Sequence, residues 1–169
     1  MKNSNVVKCL LASIPFLGMA MYLTVCSIQF DMNVTSYLKR AADANTVEIA
    51  EGELSKVLTI LKEKNLNDGW SNIFWSTGAN DVKFWYNNLE TSYNELKSLP
   101  QNASHLEKSN MLIKLRETII DHGEHGDKVT TPPNISIFPN QRFIALCEAF
   151  SMLILIGTIL FVSYSEFKD

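Results

Sequence analysis

The apolar residues of this chain are concentrated in two stretches near its ends. No residue from 9 to 28 is charged, and within 143–164 the only charged residue is Glu148. Each stretch has about the 20 residues that a helix needs to cross roughly 30 Å of hydrocarbon. The pattern therefore predicts two transmembrane helices, over 9–30 and 143–164.

The first apolar stretch also fits a cleaved signal peptide. Lys2 and Lys8 precede it, and Gly18-Met19-Ala20 resembles a small-x-small cleavage site. However, the apolar run continues through residues 21–25, beyond that cut, and a signal peptide does not need this extension. We therefore favour a spanning helix, in which Pro15 can introduce a kink.

The charges that flank the first span predict its orientation. Lys2 and Lys8 lie in the N-terminal tail (residues 1–8), whereas the first charge beyond the span is Asp31. Positive charge favours the cytoplasmic side, so we expect both termini in the cytoplasm, with the central domain periplasmic or extracellular at a bacterial plasma (inner) membrane. The expected C-terminal tail, 165–169, has no room for an output domain, so any signal is expected to pass through the membrane helices to a partner.

Between the spans, the first stretch with helical periodicity runs over Asp31–Lys64. The stretch contains no proline, so it is expected to continue the first transmembrane helix as one long helix, with a possible bend at Gly52. Its apolar positions recur at intervals of three and four: Val34, Leu38, Ala41, Val47, Ala50, Leu54, Val57, Leu58 and Leu61.

Two shorter helices are predicted after a polar connector. Asn80 or Asp81 caps the second helix, which Pro100 ends. Ser104 and Glu107 form a capping box at the start of the third helix.

Together these elements predict an all-α membrane protein. Two transmembrane helices flank an extracytoplasmic three-helix antiparallel bundle over residues 31–121. The third helix is expected to stop at Gly123, and segment 122–142, which contains glycines and three prolines, is expected to return to the membrane in extended form.

Composition narrows the possible functions. Apolar residues make up 46 % of the chain, as in many soluble proteins, so only their placement indicates a membrane protein. The three cysteines, Cys9, Cys26 and Cys147, lie in the predicted spans, which leaves none for a disulfide or a cysteine metal site in the central domain. The net charge of −3 and the lack of a basic stripe argue against nucleic acid as a partner.

One aromatic cluster stands out in the central domain. It fits either a docking surface or ligand pocket, because Trp and Tyr are favoured at binding sites, or a plug that closes the bundle. We favour the plug, although Trp85 and Tyr86 are not both expected to face inward. The cluster comprises Trp70, Phe74, Trp75, Phe84, Trp85 and Tyr86.

Two further groups are candidates for chemistry. His122, Glu124, His125 and Asp127 include the residue types that bind zinc, but their glycine-rich spacing also fits a solvated loop, which we favour. Glu148 lies inside a predicted span, where a carboxylate can carry protons or pair with a basic group of a partner. Because it lies near the outer end of the span with Arg142 nearby, we favour an interpretation in which it extends to the interface or pairs locally.

The sequence contains no phosphate-binding glycine loop, nucleophile elbow or paired-histidine zinc helix, so we expect neither enzyme activity nor a cofactor. The first hypothesis is an accessory, assembly or scaffolding subunit that binds the lipid bilayer and a partner protein or a second copy of itself. An alternative is a ligand-sensing subunit that signals through its membrane helices. A third, a component of a membrane-embedded enzyme or transporter, depends on Glu148 alone.

Overall fold

The computed structural model describes residues 2–72, 75–123, 126–137 and 142–168. The chain is mostly helical and divides into two compact units, residues 1–27 with 141–169, and residues 28–140. The helices are α1 (Lys2–Phe30), α2 (Ser36–Ala42), α3 (Val47–Glu63), α4 (Val82–Ser98), α5 (His105–Ile119) and α6 (Arg142–Lys168), and the strands are β1 (Ile120–Gly123) and β2 (Gly126–Val129).

Two helical stretches are long and apolar enough to cross a membrane. They run over Ser13–Ala42, with 30 residues, and Ala145–Tyr164, with 20 residues. Large apolar side chains such as Met21 and Phe150 are exposed on them. A long helix that is apolar on all sides and exposed fits a lipid environment.

The helix predicted over Asp31–Lys64 is interrupted, so that prediction is wrong at residues 43–46. A π-helical turn precedes α2, which ends at Ala42. Thr46 then caps α3, and its hydroxyl accepts a hydrogen bond from the Ile49 N–H. Aspartate, asparagine and threonine favour caps and turns over helix interiors, and the Asp43-Ala44-Asn45-Thr46 segment supplies all three. The chain reverses here, and α2 and α3 bury their apolar faces against each other.

The caps predicted for the next two helices are confirmed. Asp81 caps α4, where its Oδ1 accepts the Phe84 N–H at 2.9 Å. Ser104 and Glu107 form the capping box of α5, and this hydrogen bonding lowers the pKa of Glu107. These caps are set by short-range sequence, which is why they could be predicted.

Among the described residues of the central domain there are four α-helices, α2 to α5, instead of the predicted three. Their apolar faces meet in one core. The largest fully buried side chains are Leu38, Leu54, Leu61, Leu89, Leu96 and Ile119. The domain therefore holds together by helix packing, as expected for a segment without cysteine.

The segment after α5 differs from its prediction. α5 ends at Ile119 instead of Gly123, and the chain continues directly into the antiparallel hairpin of β1 and β2. Ile120 pairs with Val129 across the hairpin, and both side chains are buried. The hairpin therefore packs its base on the core, so residues 122–123 and 126–129 are not part of a simple extended return.

Candidate functional site

The aromatic cluster contains a buried pair. Trp85 is 8 % exposed and Tyr86 is 4 % exposed, so the expectation that they could not both face inward is wrong. The physical reason is that α4 packs between two neighbours. Tyr86 lies towards α3, where the Lys62 ammonium is 5.7 Å from its ring centre, whereas the Trp85 indole N–H donates a hydrogen bond to the Thr130 carbonyl at 2.9 Å.

The other described members of the cluster lie nearer the surface. Trp70 is half-buried, while Trp75 and Phe84 are 66 % and 62 % exposed. Phe74 lies outside the described residues. The cluster is therefore neither wholly a core plug nor wholly a surface, and only its exposed part is available to a partner.

Asn80 fixes the connector that carries these aromatic residues. Its side chain is buried, with Nδ2 donating to the Trp75 carbonyl at 3.2 Å and Oδ1 accepting from the Thr77 N–H at 2.8 Å. The Asn80 carbonyl accepts the N–H of Ser71, which is also buried. The sequence suggested Asn80 only as a cap of α4. The available sign of its additional role was Thr77, three positions earlier, because the two residues form a capping box.

A cleft of about 180 Å³ lies between the first turns of α4 and the residues that follow β2. Trp85 and Leu89 contribute apolar surface from α4, and Phe84 stands exposed beside them. The hydrogen bond from Trp85 to Thr130 joins the two sides. The lining includes Phe84, Trp85, Leu89, Thr118, Thr130 and Pro132.

The size of this cleft limits what it can bind. Pockets for drug-sized ligands have volumes of about 300–1,000 Å³, well above the 180 Å³ found here. A space of this size accommodates one apolar side chain. Protein interfaces are often anchored by a single side chain that inserts into such a pocket. The geometry thus suits a single inserted residue better than a whole small molecule.

The metal-binding candidates are brought together only in part. The His122 Nδ1–H donates to Asp127 Oδ1 at 2.7 Å across the hairpin, while Glu124 and His125 lie outside the described residues. In the part of the chain that the structure describes, no three metal-ligating side chains form a group.

Asp127 instead belongs to an exposed chain of polar contacts. Its Oδ2 accepts a 3.4 Å hydrogen bond from Arg116, whose guanidinium also lies 3.3 Å from Asp43. The hydrogen bond from His122, and then Arg116, lower the pKa of the Asp127 carboxyl. These contacts connect the hairpin, α5 and the turn between α2 and α3.

A buried carboxylate that the sequence did not indicate joins α2 to α3. The Glu53 side chain is 7 % exposed, and its Oε1 accepts hydrogen bonds from Arg40 at 2.8 Å and Lys56 at 3.1 Å. Its Oε2 is buried and accepts no hydrogen bond from the described residues. Both cations also lie near the Tyr37 ring. The burial of Glu53 could not be predicted from sequence, because a glutamate in an amphipathic helix is expected on its exposed face.

Glu148 lies in the second turn of α6. Its side chain is half-buried, and its Oε2 is buried without a hydrogen-bond donor among the described residues. The Ser151 hydroxyl donates to the carbonyls of Cys147 and Glu148, not to the carboxylate. The carboxylate thus remains incompletely paired within this chain.

Among the described residues, the cleft beside Trp85 and the carboxylate of Glu148 are two features with unused binding capacity. The cleft offers apolar surface, and Glu148 offers a hydrogen-bond acceptor in an apolar helix. No protein-family model, curated protein or solved structure matches this chain.

Proposed function

We propose that this chain is a two-pass protein of a bacterial inner membrane, and that its central domain binds a partner protein on the far side from both termini. Two helices of sufficient length and apolar character support membrane insertion. Lys2 and Lys8 before the first span support a cytoplasmic N-terminus. In this arrangement the first membrane helix continues outward into the helical domain.

The cleft beside Trp85 is the observation that carries the protein-binding function. Phe84 exposes 62 % of its surface beside an apolar space of about 180 Å³. An aromatic residue exposed next to a pocket for one side chain resembles the centre of a binding hot spot. The partner inserts an apolar side chain into the cleft and covers Phe84. The protein acts as an accessory or scaffolding subunit that holds this partner at the membrane.

A substitution of Phe84 tests this function without disturbing the core. Phe84→Ser in the full chain, purified from native membranes in mild detergent, is expected to lower the amount of co-purified partner about 10- to 30-fold, because an aromatic anchor contributes roughly 2 kcal/mol. Leu106→Ser is the matched control, since Leu106 is 69 % exposed on α5 but lies about 18 Å from Thr118 along the helix.

Equal partner recovery from both variants would refute docking at the cleft. Saturable binding of a small molecule that Phe84→Ser abolishes, without any co-purified protein, would favour the alternative of a ligand-sensing subunit. Both measurements compare the same two proteins, the original chain and Phe84→Ser. The same samples therefore distinguish partner binding from ligand sensing.

Cysteine labelling tests the proposed topology. A membrane-impermeant maleimide should label Asn102→Cys, an exposed position before α5, in intact cells, and should label Asn3→Cys only after the membrane is opened. The unsubstituted chain, whose cysteines lie in the predicted spans, provides the background. Labelled chain in the soluble fraction would instead support cleavage of the first apolar stretch.

A further inference from the structure

Glu148 is the only charged residue in the apolar stretch 143–164. Its carboxylate has a buried Oε2 that accepts no hydrogen bond from the described residues. Placing an unpaired carboxylate in hydrocarbon is costly, and charged residues in membrane helices almost always pair with another group. Glu148 therefore requires a donor from outside its own helix turn.

Among the residues that the structure describes, none donates a hydrogen bond to Oε2 of Glu148. Neither apolar stretch, 9–30 or 143–164, contains lysine or arginine. The nearby Ser151 hydroxyl donates to two backbone carbonyls instead.

A second copy of this chain cannot supply the cation either. It would bring another Glu148 and the same two apolar stretches without a basic residue. Two carboxylates at the same depth repel each other when both are charged. A lysine or arginine at this depth would therefore have to come from a different protein.

We infer that Glu148 is the pairing site for a transmembrane helix of another protein, which carries a lysine or arginine at the same depth. The pair stabilises the assembly because each charge is costly in the membrane without the other. This inference rests on the proposed membrane insertion of α6 and is independent of the Phe84 cleft.

Substitutions of Glu148 provide the first test. In full-length protein from native membranes, Glu148→Leu is expected to weaken association with the partner at least about 100-fold, because it leaves the partner's cation buried and unpaired. Glu148→Gln keeps hydrogen-bonding capacity but loses the charge, and a loss of at least about 10-fold is expected. Phe150→Leu is the control, since Phe150 is exposed on α6 about 200° from Glu148. A complex that survives Glu148→Gln unchanged would overturn the charge pair.

Photo-crosslinking provides the second test and leaves Glu148 unchanged. Met152 is one turn beyond Glu148 on the same side of α6, and half of its surface is exposed. A photoreactive residue at Met152 should capture an apolar segment with a lysine or arginine, and one at Phe150 should not. Capture of a second copy of this chain, or of lipid alone, would overturn the inference.

The decisive measurement removes both charges together. Replacing the captured lysine or arginine with leucine should weaken the complex as Glu148→Leu does, and combining the two substitutions should restore association to within about 10-fold of the original. Restoration is expected because an apolar pair replaces a buried ion pair at little cost. No restoration would refute direct pairing. Alkaline extraction of each variant checks insertion, so loss of the proposed membrane location is distinguished from loss of pairing.

Discussion

Replacing the buried Glu53 with methionine should not destabilise the domain, although it removes two ion pairs. The Glu53 side chain is only 7 % exposed, whereas the side chains of Arg40 and Lys56 are 63 % and 53 % exposed. Once Glu53 is gone, both cations remain hydrated. Methionine fills a similar volume and has no carboxylate that needs pairing.

The expected change in the free energy of unfolding follows from the contacts of Glu53, taken one at a time. The bonds from Arg40 and Lys56 to Oε1 involve half-exposed cations and contribute about 1 kcal/mol each. The buried Oε2 has no partner among the described residues, and an unsatisfied buried acceptor costs about 1–3 kcal/mol. Burying the charge itself costs several kcal/mol more. The costs that are removed exceed the contacts that are lost, and apolar replacement of a buried ion pair is typically neutral or stabilising by up to about 4 kcal/mol, so we expect Glu53→Met to raise the free energy of unfolding by between about 0 and 4 kcal/mol.

Arg40→Met should instead lower the free energy of unfolding. It removes the shorter of the two bonds, at 2.8 Å, and leaves the buried carboxylate with Lys56 alone. A loss of about 1–3 kcal/mol is expected, because the remaining charge is less well compensated. Lys39→Met, at an exposed position of α2, is the control and should change stability by less than about 0.5 kcal/mol.

Urea unfolding of the full chain in mild detergent, followed by circular dichroism, measures these changes. The slope of the transition should stay the same in all variants, so that shifts of the midpoint report stability. Destabilisation by Glu53→Met of more than about 1 kcal/mol would show that the ion pairs outweigh the cost of burying Glu53, and a harmless Arg40→Met would show that the buried carboxylate does not need this partner. Either result would refute this reasoning.

Two further predictions concern the packing around the hairpin. Trp85→Phe removes the indole donor to the Thr130 carbonyl and should lower the thermal midpoint by about 4–8 °C, measured by circular dichroism, since one such bond contributes about 1 kcal/mol. The Asp127 carboxyl has a pKa below its ordinary value of 3.8, first because of the hydrogen bond from His122. Its stabilising contribution is therefore complete above that value and is lost as the pH falls through the lowered pKa. Protection of the hairpin amides from exchange, relative to their intrinsic exchange at the same pH, should fall below about pH 4 in the original chain but not in Asp127→Asn, and an equal acid dependence in both would contradict this.

The elements that could be predicted from sequence are those set by short-range signals. Two apolar stretches, the Asp81 cap and the Ser104 capping box need only a few neighbouring residues. The break between α2 and α3 also had a sign. After Ala42 the next buried position is Val47, a step of five that does not fit the helical intervals of three and four, and the residues between them include Asp43 and Asn45.

The cleft and the Glu53 cluster could not be predicted because they depend on tertiary contacts. Trp85 and Thr130 are 45 positions apart in sequence, and Glu53 meets Arg40 only because the chain reverses between them. Periodicity indicates which face of a helix is buried, but not which helix covers it. A polar residue on a buried face is therefore informative only after the partner helix is known.

The members of the aromatic cluster look alike in the sequence but have different roles in the structure. Trp85 contributes to the fold through burial and its bond to Thr130, whereas Phe84, its neighbour in sequence, is exposed beside the cleft. Substitutions at the two positions should therefore have different effects. Trp85 variants should change stability, whereas Phe84 variants should change partner binding with stability nearly constant. If Phe84→Ser instead lowered stability as much as Trp85→Phe does, the cleft would be an extension of the core and the docking function would lose its support.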